Sequence, residues 1–438
     1  MKFKKFGKAL LMIAASAGVV FSVTSCVQSY SVGFLYVTGT QTATTTGDGI
    51  ISGFKIDHNT GNLSPIPGLP VASGGQNPGR AVLLGGGRFL YVLNRGDCTV
   101  NPCAKPNITQ FSIGGNGILA SQETFFSQGN NPFRIIADAP GHYIYVLDHD
   151  SPSSAACALA LGSGVNACGD ITAFSVDQST GRLSLVVNAQ VTSATGQALP
   201  YFPVPANPID MVLAAGYILT LSGTPGTGDS VFPYLYSLSS GQLSVSQNSS
   251  QPLNVSQANA IALGGSYVYI LANDPLTVTP TDGTSPVTYP SQIDAYTVGT
   301  GGALQAQVGG VSPGDATQTD PMFLLLESKN KWIYVANQGN NSGTTNSQSG
   351  ISGYVIDPQQ HTLSPIAHSP WGSGASPQCL IEDPSFQYIY TANFGDSTVT
   401  GRRIDQNAGV LNNLLGSANR SFPLTGPATY CLVTGRTS

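Results

Sequence analysis

Charge is what this sequence has least of. Asp, Glu, Lys and Arg together make up 9% of its 438 residues, and glutamate occurs only at Glu123, Glu327 and Glu382. So little charge leaves Gly, Ser, Thr and Asn to supply the polar surface, which suits an all-β, turn-rich protein better than a helical one. The balance of 17 basic against 22 acidic residues is negative, which argues against a nucleic-acid partner. Beyond the first twenty residues no apolar stretch reaches the length of a transmembrane helix. There is no CxxC pair, no HExxH, no P-loop and no GxGxxG after a strand, so neither a metal nor a cofactor is expected. Gly310-Val311-Ser312-Pro313-Gly314 spells G-x-S-x-G without a strand–elbow–helix context and reads as a loop.

What the chain does have is repetition. Seven short aromatic and β-branched segments end in a pattern near Leu-Tyr-Val-x-Asn. They run through Phe34–Val37, Phe89–Asn94, Tyr143–Asp148, Tyr217–Leu221, Tyr267–Asn273, Trp332–Asn337 and Tyr388–Asn393. A self-similar period of this kind marks a repeat architecture. Before most copies stands Asn-Pro or a relative, as in Asn77-Pro78, Asn131-Pro132, Asn207-Pro208, Asp320-Pro321 and Ser376-Pro377. Proline suits the first residue of a strand, where no ladder donor is lost. After each copy comes a variable loop, then an alternating strand such as Ile171-Thr172-Ala173-Phe174-Ser175-Val176, then a Gly turn and a fourth strand such as Gly181-Arg182-Leu183-Ser184. Four short antiparallel strands per copy predict an all-β, seven-bladed β-propeller. The first copy lacks its first strand, and Ala428-Thr429-Tyr430-Cys431-Leu432-Val433 is a first strand without a blade. This last strand is expected to complete the first blade and close the ring, which hides an exposed edge.

The N-terminus reads as an export leader over residues 1–25. Lys2, Lys4, Lys5 and Lys8 precede an apolar stretch, and Val23-Thr24-Ser25-Cys26 is similar to a bacterial lipobox. The expectation is a lipidated Cys26, a tether over 26–32 and a propeller over 33–438, anchored by lipid alone to the cell envelope, with the outer membrane or periplasmic face favoured. Without the leader lysines the remainder has 13 basic against 22 acidic residues, a formal charge of −9. Six further cysteines in an exported chain read as disulfides. Cys98 and Cys103 flank four residues, Cys157 and Cys168 flank ten, and Cys379 and Cys431 are left for each other, on innermost strands of adjacent blades.

The Tyr-Val-x-Asn strands and the runs Phe54–Ser64 and Phe174–Ser184, of the form Phe-x-Ile/Val-Asp-x-x-Thr-Gly-x-Leu-Ser, resemble the seven-bladed lactonase family, which includes bacterial 6-phosphogluconolactonase and related muconate-cycloisomerase propellers. The resemblance spans about residues 33–435 and implies a lactonase-like hydrolase of a sugar lactone or related cyclic ester. The family's Pro-Arg-His entry is altered here. Pro78-Gly79-Arg80 and Pro132-Phe133-Arg134 keep the arginine, and no histidine follows.

Loops entering first strands and leaving second strands share one face, around the channel mouth, where ligand sites are expected. The second-to-third loops are also the long ones, at 94–107, 148–170, 222–231, 273–291 and 337–350. The charged candidates on that face are Arg80, Arg134 and Asp210 at first-strand entries. Arg95, Asp97, Asp148, His149, Asp150, Asp274 and Asp396 follow second strands. His149, Asp148 or Asp210 is expected as the base that activates water, and Arg80, Arg134 and Arg95 as donors to a carboxylate, phosphate or oxyanion. The competing expectation is that Asp148 and the Asn series at 94, 273, 337 and 393 cap turns at strand ends. A small-molecule lactone or carbohydrate is the expected partner of a monomer. The alternative is a non-catalytic propeller that binds a protein or glycan through its long-loop face.

Overall fold

The computed structural model describes residues 30–41, 48–193, 195–224, 228–245, 250–280, 282–339, 348–359, 362–416 and 421–435. The leader and Cys26 lie outside them. Seven antiparallel sheets form the blades of a propeller, and the expected all-β ring is present. The innermost strands are Pro78–Leu84, Asn130–Ala137, Pro208–Ala214, Ala258–Gly264, Pro321–Leu326, Pro377–Glu382 and Ala428–Gly435. The last of these pairs with Ser31–Thr40, so both chain ends share the first blade. The strand thus starts at Ser31, and Tyr30 stacks on His58 with ring centroids 4.5 Å apart. Disulfide Cys379–Cys431 joins the seventh blade to the first, and Cys98–Cys103 and Cys157–Cys168 sit in the second-to-third loops of the second and third blades.

The second strands read as continuous apolar runs because they are covered on both faces; Phe89–Asn94, Trp332–Asn337 and Tyr388–Asn393 are buried at every position. The core is accordingly seven apolar slabs, one per blade junction. Tyr91, Leu93, Ile144, Val146 and Phe174 fill the slab between the second and third blades, and Leu35, Val37, Tyr388 and Tyr390 part of the slab that closes the ring.

The repeated tyrosine does more than pack. Its hydroxyl donates to a carbonyl in the third-to-fourth turn of the following blade. Tyr36 reaches Gly117 at 2.8 Å, Tyr145 reaches Gly241 at 3.3 Å, Tyr334 reaches Gly409 at 2.7 Å, Tyr390 reaches Gly61 at 2.6 Å, and Tyr91 bonds Gly181. Each of these glycines has φ between 67° and 84°, where L-residues with a Cβ are disfavoured. A Cβ on Gly61 or Gly241 would also stand 2.4 Å from the ring of Tyr388 or Tyr143. The repeated Asp before the turn accepts from the residues two and three positions on; Asp177 takes the N–H and hydroxyl of both Ser179 and Thr180, which hold its carboxyl well below the usual range.

Four loop expectations change. Segment 222–231 is mostly strand, because Ser222 and Gly223 pair with Ser230 and Asp229. Segment 148–170 carries a helix, Ser154–Leu161, and 273–291 a small hairpin, Leu276–Val278 with Val287–Tyr289. The G-x-S-x-G run is the end of strand Leu304–Pro313, where buried Ser312 accepts the Leu363 N–H across a blade junction.

Candidate functional site

Five inner strands open on a residue in the left-handed region: Asn77 (φ 49°), Asn131 (58°), Asn207 (52°), Asp320 (59°) and Ser376 (51°). Asn and Asp tolerate this conformation better than most side chains. The carbonyl of the entry residue then accepts the N–H just beyond the second strand. Arg95 bonds Asn77 at 3.0 Å, Gln338 bonds Asp320 at 2.8 Å and Phe394 bonds Ser376 at 2.9 Å. Directly after the entry, every inner strand carries a bulge. Pro132 faces Asp148 but Arg134 faces Leu147, and Pro321 faces Asn337 but Phe323 faces Ala336; the other five blades slip at the same place. A bulge re-aims the side chain of the extra residue. Here the extra residues include Phe133, Met322, Gln378 and Thr429, and all four line one cavity.

That cavity, of about 350 Å³, opens off-centre at the mouth over the first, second, third, sixth and seventh blades. The pinned exit residues Arg95 and Phe394 stand at its sides, with Arg80, Arg134 and Tyr430 also lining it. Beneath the two inner arginines lies Asp210, from the fourth blade and fully buried. Arg80 Nη2 donates to Asp210 Oδ2 at 3.0 Å and Arg134 Nε to Oδ1 at 3.1 Å. Arg134 Nη1 also donates to the Phe133 carbonyl at 3.2 Å. The Arg80 guanidinium is 5.9 Å from the centroids of both Phe323 and Tyr430, a cation–π arrangement. Burial and repulsion from Arg80 lower the Arg134 pKa to about 10 despite Asp210, so Arg134 is a cation at neutral pH. Asp210 neutralises one charge of the three guanidiniums and leaves two.

His149 stands at the rim, its ring centroid 6.2 Å from that of Phe133, while the Arg134 guanidinium lies 5.2 Å from the same ring. His149 Nδ1 is 3.0 Å from Asp150 Oδ1. Asn131 donates to Asp150 Oδ2 at 2.6 Å and accepts the Cys103 N–H at 2.7 Å, so the Cys98–Cys103 loop and the dyad are tied through one amide.

Asp148 is placed differently. It is fully buried inside the third blade and does not line the cavity. It faces Asp170 across the ladder, in the register where the second blade pairs Asn94 with Asn107. There Asn94 Nδ2 donates to Asn107 Oδ1 at 2.8 Å. Two aspartates hold the same geometry only by sharing a proton. Burial raises both pKa values, and Ser127 and Thr172 hydroxyls donate to Asp148, which leaves the proton with Asp170. The buried Asn residues likewise bond across strands, as Asn94 does with Thr109 and Asn393 with Thr400. True loop capping falls to Asp97, Asp274 and Asp396, which accept backbone N–H groups of Thr99, Ser256 and Ala375.

The structure therefore brings Arg80, Arg95, Arg134 and Asp210 together, sets His149 beside them at the rim, and keeps Asp148 apart. Sequence reasoning missed Phe133, Met322, Phe394 and Tyr430. A signal for two of them was present: Phe133 and Met322 each follow an entry proline.

The family model for seven-bladed β-propeller lactonases matches residues 289–421. No curated protein sequence matches the chain. Among solved structures, the periplasmic gluconolactonase of Pseudomonas aeruginosa is similar with a TM-score of 0.63 at 15% identity, over 92% of this chain and 99% of that one. A candidate 6-phosphogluconolactonase from Bacteroides fragilis gives 0.62 at 14%, over 92% and 98%. A hypothetical selenium-binding protein from Sulfolobus tokodaii gives 0.58 at 11%, over 94% and 96%. At these identities the likeness is one of fold, and a fold hosts many activities.

Proposed function

We propose that the protein is a lactonase-like hydrolase of a cyclic ester, working in the cell envelope and held there by a lipid on Cys26. The observation that carries this reading is the concave mouth lined by three arginines, two of which share one buried carboxylate. The residual positive charge suits an oxyanion that forms when water adds to a carbonyl. His149, with Nδ1 turned to Asp150, presents Nε2 as the base. It takes a proton from water as hydroxide adds to the lactone carbonyl. The negative charge on the carbonyl oxygen faces the guanidiniums. The ring C–O bond then breaks and the departing alkoxide regains the proton from His149. Asp210 acts as a positioning residue that sets both inner arginines. The two gluconolactonase-type relatives are consistent with this class of substrate.

A second reading, binding without turnover through the same face, is favoured by one observation. Among the described residues lining the cavity there is no carboxylate and no imidazole. Turnover of a lactone panel by the purified chain, repeated with His149→Ala and Arg134→Ala, separates the two. The hydrolase reading expects losses of about 10² to 10⁴ in kcat for His149→Ala. Absence of turnover on every lactone leaves the binding reading.

A further inference from the structure

Building on the mouth as the site of chemistry, we infer that its substrate is an amphiphilic carboxylate, an alkyl or aryl body carrying a carboxylate and the reactive ester, and not a polyhydroxylated sugar acid. The cavity has a lopsided inventory. Three guanidiniums offer donors, and Asp210 occupies only Nη2 of Arg80 and Nε of Arg134. Acceptors are scarce, because no lining side chain among the described residues is ionised acidic. Of the neutral polar side chains, Thr429 bonds the Thr38 hydroxyl at 3.0 Å, Asn77 Nδ2 the Gly96 carbonyl at 2.8 Å, and Gln378 Nε2 the Ser376 carbonyl at 3.2 Å.

Every hydroxyl of a sugar is a donor, and a donor left unpaired on entering a cavity weakens binding. A carboxylate and a lactone carry acceptors alone, which is what three guanidiniums need. In the same cavity Phe133, Met322 and Phe394 present apolar surface, and Phe394 is exposed at the rim. That apolar surface suits a hydrocarbon better than a chain of hydroxyls. The two uncompensated positive charges match a ligand carboxylate plus the oxyanion of the addition step, so charge and apolarity point to one ligand class.

Calorimetric titration of the whole chain with acetate, butyrate, hexanoate, gluconate, 6-phosphogluconate and inorganic phosphate tests this without relying on turnover. Affinity is expected to rise about fourfold for each added methylene until the cavity is filled. Gluconate should bind at least tenfold more weakly than hexanoate. Phe394→Ser, at an exposed position that leaves the core intact, should flatten the chain-length series. Gluconate or either phosphate binding as tightly as hexanoate, or a series with no chain-length dependence, overturns the inference. Chain-length-dependent binding with no lactone turned over would sink the hydrolase reading and keep this one. Preferred turnover of gluconolactone over alkyl-substituted lactones would do the reverse.

Discussion

In the third blade two aspartates, Asp148 and Asp170, stand where the second blade has two asparagines. Both pKa values lie above the ordinary aspartate value, so the folded chain keeps a proton that the unfolded chain releases near pH 4. Unfolding then releases protons, and the contribution of the pair to stability falls as pH rises above that range. Asp170→Asn replaces the shared proton with an amide donor. The stability gap between this variant and the parent, read from urea midpoints, is expected to widen in the variant's favour from pH 5 to pH 8. A gap that stays constant with pH would count against proton sharing. Asp210→Ala leaves Arg80 and Arg134 facing each other with no counter-charge, and a loss of about 3 kcal/mol is expected in chemical denaturation. The loss should be seen even if the cavity is never used for chemistry.

At the scale of elements the blade is written in two halves that meet in the neighbour. The tyrosine of one second strand and the glycine of the next turn form one contact, as in Tyr91 with Gly181. Tyr91→Phe is expected to cost about 1 kcal/mol, the net worth of one hydrogen bond. Gly61→Ala is expected to cost about 2 kcal/mol or more, because φ is 70° and the new Cβ meets the Tyr388 ring at 2.4 Å. Thermal melts of both variants check the order. Both residues could be read as repeating marks in the sequence, and their count gave the blades. Their partnership could not, because a hydroxyl of residue 91 and a carbonyl of residue 181 share no local pattern. The bulges were hidden for a related reason. Period-2 alternation describes a regular strand, and the slip beside Phe133 or Met322 appears only in the pairing with a second strand. Without the slip, the residues after the prolines could not be assigned to the mouth. The arginines were legible because a charged side chain in a channel strand is rare in so weakly charged a sequence.

On the scale of the molecule the ring is shut by three independent devices at one junction. The strand Ala428–Gly435 pairs with Ser31–Thr40, Tyr390 bonds Gly61, and Cys379 is bridged to Cys431. The bridge spans 52 positions, and chain-entropy reasoning gives it about 4 kcal/mol. The double variant Cys379→Ser and Cys431→Ser should lower the melting temperature without changing the fold at room temperature, as circular dichroism would record. A ring is also a stack of blades with no ends. Once the terminal strand leaves, the first and seventh blades each bare an apolar slab that fits the other, on the same chain or on the next. An opened molecule would then carry complementary apolar faces at its two ends, the arrangement from which head-to-tail filaments grow, and the covalent bridge at Cys379–Cys431 holds those two faces on each other.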